Sequence, residues 1–161
     1  KGDGTGSDDF GRFRLTGQPE DKYAFRTPTL LNVEKTGPWG HAGGYTSLNA
    51  VINHHLNPQS AIDNYDFSQL ESSVQVGDMK ANTQHAIDTL EVNRSAGLIS
   101  PILENVSLTE KQVNQLVAFL KTLTDQCLND DACISAWIPA SSDTDPDSLR
   151  VNAVNENGLA L

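Results

Sequence analysis

Four histidines and one methionine offer this chain its best means of doing chemistry: His41, His54, His55, His85 and Met79. An imidazole can ligate a metal or haem iron, or carry protons near neutral pH. A thioether can ligate haem iron. His54 and His55 are adjacent, so on a helix their side chains point about 100° apart. His41 lies in the glycine-rich stretch WGHAGG, beside Trp39, where its ordinary role is to bond backbone or a nearby carboxylate. His85 sits in a polar stretch and reads as solvated. Met79 follows Gly77 and Asp78 in what reads as a polar loop, with haem ligation as the sharper alternative. No P-loop, GxSxG, HExxH or strand-flanked GxGxxG occurs, so none of those phosphate, acyl-transfer or zinc chemistries is expected.

Cys127 and Cys133 stand in DQCLNDDAC. The spacing is not CxxC, and no CxxCH for haem attachment occurs anywhere. Two thiols are too few for structural zinc. A local disulfide closing a short loop is the preferred reading, and two free thiols the alternative. A disulfide would imply an oxidising compartment, periplasmic or extracellular.

These side chains need elements to position them. Residues 1–22 read as an extended surface segment. Residues 23–45 carry Pro28, Gly37, Pro38, Gly40, Gly43 and Gly44, a density of turn formers that predicts a loop. Phe25, Leu30, Leu31, Val33 and Trp39 would pin that loop to a core. A short helix is predicted over 48–56, capped by Thr46 or Ser47 and stopped soon after by Pro58. Leu48, Val51, Ile52 and His55 follow the i, i+3, i+4, i+7 series, which puts His55 on the buried stripe. A histidine there is either a packed side chain with one hydrogen bond or a ligand held in an apolar pocket. Residues 57–80 read as a loop. A second helix is expected over 82–97, with Ala86, Leu90 and Ala96 inward. The clearest helix covers 107–123, with Ser107 and Glu110 as a capping box and Val113, Leu116, Val117, Leu120 and Leu123 as its apolar stripe. Residues 124–161 read as mostly irregular, and 140–161 as a tail.

The chain has 161 residues, 37% of them hydrophobic, which suits one domain with a modest core and a tail. No run of eighteen apolar residues predicts a membrane span. Its opening, KGDGTGSDDFGR, is polar and shows no signal peptide, as in a mature, exported or truncated protein. The formal charge of −10 argues against a nucleic-acid partner and permits a basic protein partner.

Taken together, FRTPTLLNVEKTGPWGHAGGYTSLNAVINHHLNP (25–58) resembles the C-terminal haem domain of the bacterial di-haem cytochrome c peroxidase family, whose superfamily includes the methylamine-utilisation di-haem enzymes. That family carries F-[KR]-x-P-[ST]-L-R-N-[VI]-x-x-T-x-P-[YW]-x-H-x-G followed by T-L-x-x-[AV]-V. DDFGR (8–12) is similar to the family's preceding D-x-G-R, and SLTEKQVNQLVAFLKTLTD (107–125) to its closing helix. The resemblance covers roughly residues 8–125. Leu31 departs from the usual Arg, and Ala42 from the usual Asp.

The resemblance implies a mainly α, cytochrome c-like helical domain with long loops, incomplete at its N-terminus. Residues 1–125 would form that domain, and 126–161 a disulfide loop and irregular tail. In the family, the residue fourteen after the motif histidine lies on the distal face of the C-terminal haem. It is Met in the peroxidases and Tyr in the methylamine-utilisation enzymes. Counted from His41, that position is His55, with His54 in reserve as axial ligand. A histidine there would lower the haem's reduction potential relative to methionine. His41 would lie near the haem propionates, with Trp39 beside it. Thr36 and Pro38 match the residues whose backbone carbonyls hold a calcium ion between the family's two haem domains, a ligand type calcium accepts.

The family's attachment motif lies shortly before D-x-G-R, so this chain is expected to be a fragment cut after that motif. A haemless descendant serving as a binding module is the alternative. In the parent, a small cytochrome or cupredoxin would feed electrons to the C-terminal haem, and hydrogen peroxide would be reduced at the N-terminal haem. A parent that oxidises a protein substrate is a variant of the same reading. The fragment would be periplasmic, inactive alone and less stable than the haem-loaded domain. It could pair with a second copy over the empty haem face. A third possibility is a small metal site made by the histidines themselves.

Overall fold

The computed structural model describes residues 9–70, 79–99 and 106–138. Within them the chain is mainly α-helical, and its β-structure amounts to two isolated bridges. Six helices appear in chain order: α1 (Phe13–Thr16), α2 (Leu48–Leu56), α3 (Pro58–Asp63), α4 (Met79–Ser95), α5 (Glu110–Lys121) and α6 (Asp131–Ile134). No helix among the described residues is long and apolar enough to cross a membrane.

The helix α2 has the bounds its sequence pattern predicts. Ser47, in an extended conformation, accepts the Ala50 amide on its hydroxyl and so satisfies one open donor of the first turn. Leu48 and Ile52 are buried against Val113 and Leu120 of α5, with Val33 of the preceding loop completing the core. Trp39, Val51, Leu56, Leu108, Leu116, Val117 and Leu123 pack around that centre. Asn49 and Asn114 join α2 to α5 on the surface side, with 3.4 Å between Nδ2 and Oδ1.

Several expectations change. Pro58 does not only follow the end of α2; it opens α3. Asn57 accepts the Ser60 amide at 2.9 Å, and proline suits the first helical position because its missing N–H would have no intrahelical partner. So 57–80 is not one loop: α3 is followed by a 3-10 turn at Phe67–Gln69, while 71–78 lie outside the described residues. The helix α4 starts at Met79, three residues early, which puts Met79 in a helix rather than a loop. Ile87 and Asn93 are its buried residues, and Ala96 is exposed. Reciprocal amide bonds between Gln59 and Gln84, 3.0 and 2.9 Å, tie α3 to α4.

The closing helix carries its predicted stripe, but the capping box is Thr109 with Gln112 rather than Ser107 with Glu110. Thr109 Oγ1 accepts the Gln112 amide, and Gln112 Oε1 accepts the Thr109 amide at 2.9 Å. The same T-x-x-Q logic applies two residues later than the sequence suggested. Residues 9–22 are not simply extended, since they form α1 and a 3-10 turn at Pro19–Asp21. Of the five proposed anchors of the 23–45 loop, only Val33 is buried and Trp39 half-buried. Phe25, Leu30 and Leu31 are 43%, 51% and 62% exposed.

After α5 the chain is more regular than predicted. Two 3-10 turns, Gln126–Asn129 and Ser135–Trp137, flank α6, and a Cys127–Cys133 disulfide closes the segment. Asp130 caps α6 by accepting the Ala132 amide. The predicted tail, 140–161, lies outside the described residues.

Candidate functional site

The 37–45 loop is held from both ends. Trp39 Nε1 donates to the Val33 carbonyl at 2.8 Å, which fixes the indole over the core edge. Trp39 and Tyr45 then exchange both backbone hydrogen bonds, 2.8 and 3.0 Å, closing the intervening residues into a tight excursion. Gly40 has φ +88°, a conformation that side chains rarely adopt, and it turns the chain immediately before His41.

His41 projects outward from that excursion. Its Nε2 lies 2.9 Å from Asp9 Oδ2, and its ring stacks on Phe25 with centroids 3.6 Å apart. The Gly11 amide donates to Asp9 Oδ1 at 3.1 Å, and Arg14 Nε lies 3.9 Å from the same oxygen. These partners, the Gly11 amide first and His41 second, hold the Asp9 carboxyl below its usual range. Gly11 is itself required: its φ is +59°, and a Cβ there would sit 2.5 Å from the Ala24 carbonyl oxygen. The sequence reading of His41 as a loop histidine beside a carboxylate matches this geometry.

At the other end of the loop, Tyr45 meets α2. Its hydroxyl lies 2.9 Å from His54 Nδ1, with the two ring centroids 5.3 Å apart. Tyr65 stands edge-on to Tyr45 at 5.5 Å and donates its hydroxyl to the Gly44 carbonyl. Phe67 backs Tyr65 at 4.9 Å. Burial, and secondarily the neighbouring His55, pushes the His54 pKa down, while burial and then Tyr65 push the Tyr45 phenol up. Both groups are thereby held neutral around physiological pH.

The burial of the two adjacent histidines is the reverse of expectation. His54 is half-buried and His55 exposed. The core line of α2 runs through Leu48, Ile52 and Leu56, an i, i+4, i+8 ridge rather than i, i+3, i+7. His55 stands beside that ridge, about 20° from Leu48 by helical angle, but Leu56 takes the last core position. His54 is covered because Tyr45, which the sequence reading gave no role, folds over it. The His55 imidazole has no hydrogen-bond partner among the described residues; its ring lies 5.8 Å from that of His54.

The four histidines do not converge. Among the described residues, no group of three or more His, Cys, Asp or Glu side chains could hold a metal ion. His41 is engaged with Asp9, His54 with Tyr45, and His85 is exposed on α4. A metal site assembled from the histidines alone therefore has no support among the described residues. Thr36 and Pro38 lie in an exposed turn, where the Thr36 hydroxyl reaches the Val33 carbonyl at 3.5 Å. Neither the Thr36 nor the Pro38 carbonyl accepts a hydrogen bond from the described residues.

Asp9, Phe25, Tyr45 and Tyr65 complete the site and were not singled out as functional from sequence. Asp9 belongs to the D-x-G-R segment, which was the one signal that could have led to it. Nothing in the spacing of Tyr45 and His54, nine residues apart across a loop and a helix, announces their bond. Comparison with family models, with curated proteins and with solved structures found no match for this chain.

Proposed function

We propose that this chain supplies the distal side of the C-terminal haem in a periplasmic di-haem oxidoreductase of the cytochrome c peroxidase type. One observation carries the reading. His55 presents an exposed imidazole without a hydrogen-bond partner among the described residues, beside the apolar ridge of α2. A ligand histidine needs an available nitrogen, and the exposed His55 imidazole offers one.

On this reading three parts of the chain would serve a haem. His55 would be the residue of this chain that holds its iron. Haem iron, when bound, supplies one-electron redox chemistry that no protein side chain provides. Trp39 shapes the loop at the core edge, and His41, stacked on Phe25 with its Nε2 on Asp9, would face the propionates through Nδ1. The carbonyls of Thr36 and Pro38 suit a hard cation such as calcium, with further ligands coming from an N-terminal haem domain. The attachment cysteines and proximal histidine would belong to a CxxCH segment outside these 161 residues. The charge of −10 supports a small basic electron donor, a cytochrome or cupredoxin, and hydrogen peroxide would be the terminal substrate. The Cys127–Cys133 disulfide supports an oxidising compartment.

The test begins with the coding sequence upstream of Lys1, where two CxxCH motifs are expected. The protein expressed with that region and matured with haem should show a Soret band and reduce peroxide with a reduced donor. A protein without CxxCH upstream, or without a Soret band after maturation, would overturn the reading.

A further inference from the structure

We propose that the disulfide-closed segment after α5 carries a docking groove for a protein partner that presents an apolar contact flanked by Lys or Arg.

A cleft of about 420 Å3 opens between that segment and Asn32 of the loop before α2. Leu128, Ile134, Trp137 and Ile138 give it apolar walls, and Cys127 of the disulfide lines it as well. Trp137 is 83% exposed, the most exposed aromatic side chain among the described residues. The contrast with Trp39 is instructive, since that indole packs on the core and donates to the Val33 carbonyl. A tryptophan left in water beside an apolar cleft is the residue type that most often anchors a protein interface.

The groove is built before any partner arrives. The Cys127–Cys133 disulfide closes it, Asp125 accepts the Cys127 amide at 2.9 Å, and Asp130 accepts the Ala132 amide at 3.0 Å. The Asp125 amide donates to Asn32 Oδ1 at 2.7 Å, while the Asn32 amide donates to the Leu123 carbonyl at 3.1 Å. These bonds tie the groove to the end of α5, so little ordering is left for binding to cost.

Charge selects the occupant. Asp125 lines the groove, and Asp130 and Asp131 stand exposed on the turn between the two cysteines. No Lys or Arg occurs from Thr122 to Leu149, and Lys121 is paired with Glu34 at 3.3 Å. The field around the cleft is therefore negative, which attracts a basic surface and repels an acidic one. A second copy would bring the same aspartates and a further charge of −10. The chain's own residues 139–161 hold Asp143, Asp145, Asp147 and Glu156 against Arg150 alone. Both are disfavoured relative to a basic partner. Neither the groove nor its charge depends on a bound haem.

The test is an NMR titration of the full 161-residue chain with three synthetic peptides: repeated KLAKLAK, which is basic and apolar; repeated ELAELAE, its acidic counterpart; and repeated KSAKSAK, basic without the apolar side chains. The first should move the Trp137 indole N–H and the amides of 125–138 while leaving the Trp39 indole in place, and the other two should move neither. W137S should weaken that binding by at least about tenfold. The double variant D130N, D131N keeps the cap of α6, because Asn caps as Asp does, and should weaken binding and flatten its salt dependence. An unmoved Trp137 signal, equal binding of ELAELAE, or unchanged affinity in both variants would overturn the proposal. So would a Trp137 signal that shifts with protein concentration, which assigns the groove to a second copy. Nuclear Overhauser contacts from Trp137 to residues 149–161 would assign it to the chain's own C-terminal stretch and overturn it equally.

Discussion

Asp9 and His41 lie thirty-two residues apart in sequence, and their side chains meet at 2.9 Å. That one contact joins the DFGR segment to the WGHAG loop and gives the loop histidine a carboxylate partner. It is an exposed pair, with side-chain accessibilities of 36% and 51%, so its value lies in orientation more than in stability. D9N should cost no more than about 1 kcal/mol at neutral pH. Its signature should appear in acid. The folded-state pKa of Asp9 is depressed, so its contribution is complete above about pH 4, its unfolded value, and is lost as pH falls through the folded value. Urea denaturation midpoints of wild type and D9N should converge below pH 4, and a gap that widens there would contradict the pairing.

The burial of His54 makes a second prediction with the same sign. Its depressed pKa means that the unfolded chain takes up a proton first as pH falls. The stability linked to His54 is complete above about pH 6.5, declines as pH falls below that value, and is exhausted below the folded pKa. An NMR titration should place His54 below the free-histidine value. A His54 midpoint at or above 6.5 would contradict its covering by Tyr45.

Core and surface should separate cleanly. Ile52 is 7% exposed within the central cluster, whereas Leu31, in the loop before α2, is 62% exposed. I52A should destabilise by about 2–5 kcal/mol, because a buried methyl-rich side chain leaves a cavity behind. L31R should stay within about 0.5 kcal/mol of wild type. Thermal or urea unfolding monitored by circular dichroism reads both, and equal losses for the two variants would refute the packing described.

Gly11 offers a backbone test of the same N-terminal segment. Its left-handed φ of +59° and the 2.5 Å approach of a Cβ to the Ala24 carbonyl leave alanine nowhere to sit. G11A should destabilise by at least about 1 kcal/mol and disturb Asp9, whose carboxylate the Gly11 amide holds. An unchanged melting temperature and an unchanged His41 spectrum would show that the parallel bridge at Gly11 and Ala24 is dispensable.

What the sequence made legible was what local chemistry dictates. The helix α2 could be bounded because Ser47 caps it and the apolar spacing is regular, and the disulfide could be anticipated from loop length. The stripe of α5 was equally plain, although the choice between Ser107 and Thr109 as its cap was not, since both sit three residues before a capping partner. Helix α3 was missed because Asn57 and Pro58 signal both an end and a beginning. The site proved harder to read. Helical angle alone put His55 near the core line, but the neighbour that closes the last turn is Leu56. His54 is covered by a tyrosine arriving from a loop whose path depends on the Trp39–Val33 hydrogen bond. Contacts between segments so distant in sequence leave no period to read.

The most direct test of the central claim is electron paramagnetic resonance of the protein expressed with the coding sequence upstream of Lys1 and matured with haem. The account predicts a low-spin, bis-histidine signal from the C-terminal haem that H55A converts to high-spin and H54A leaves in place. A signal untouched by H55A, or abolished by H54A instead, would contradict it.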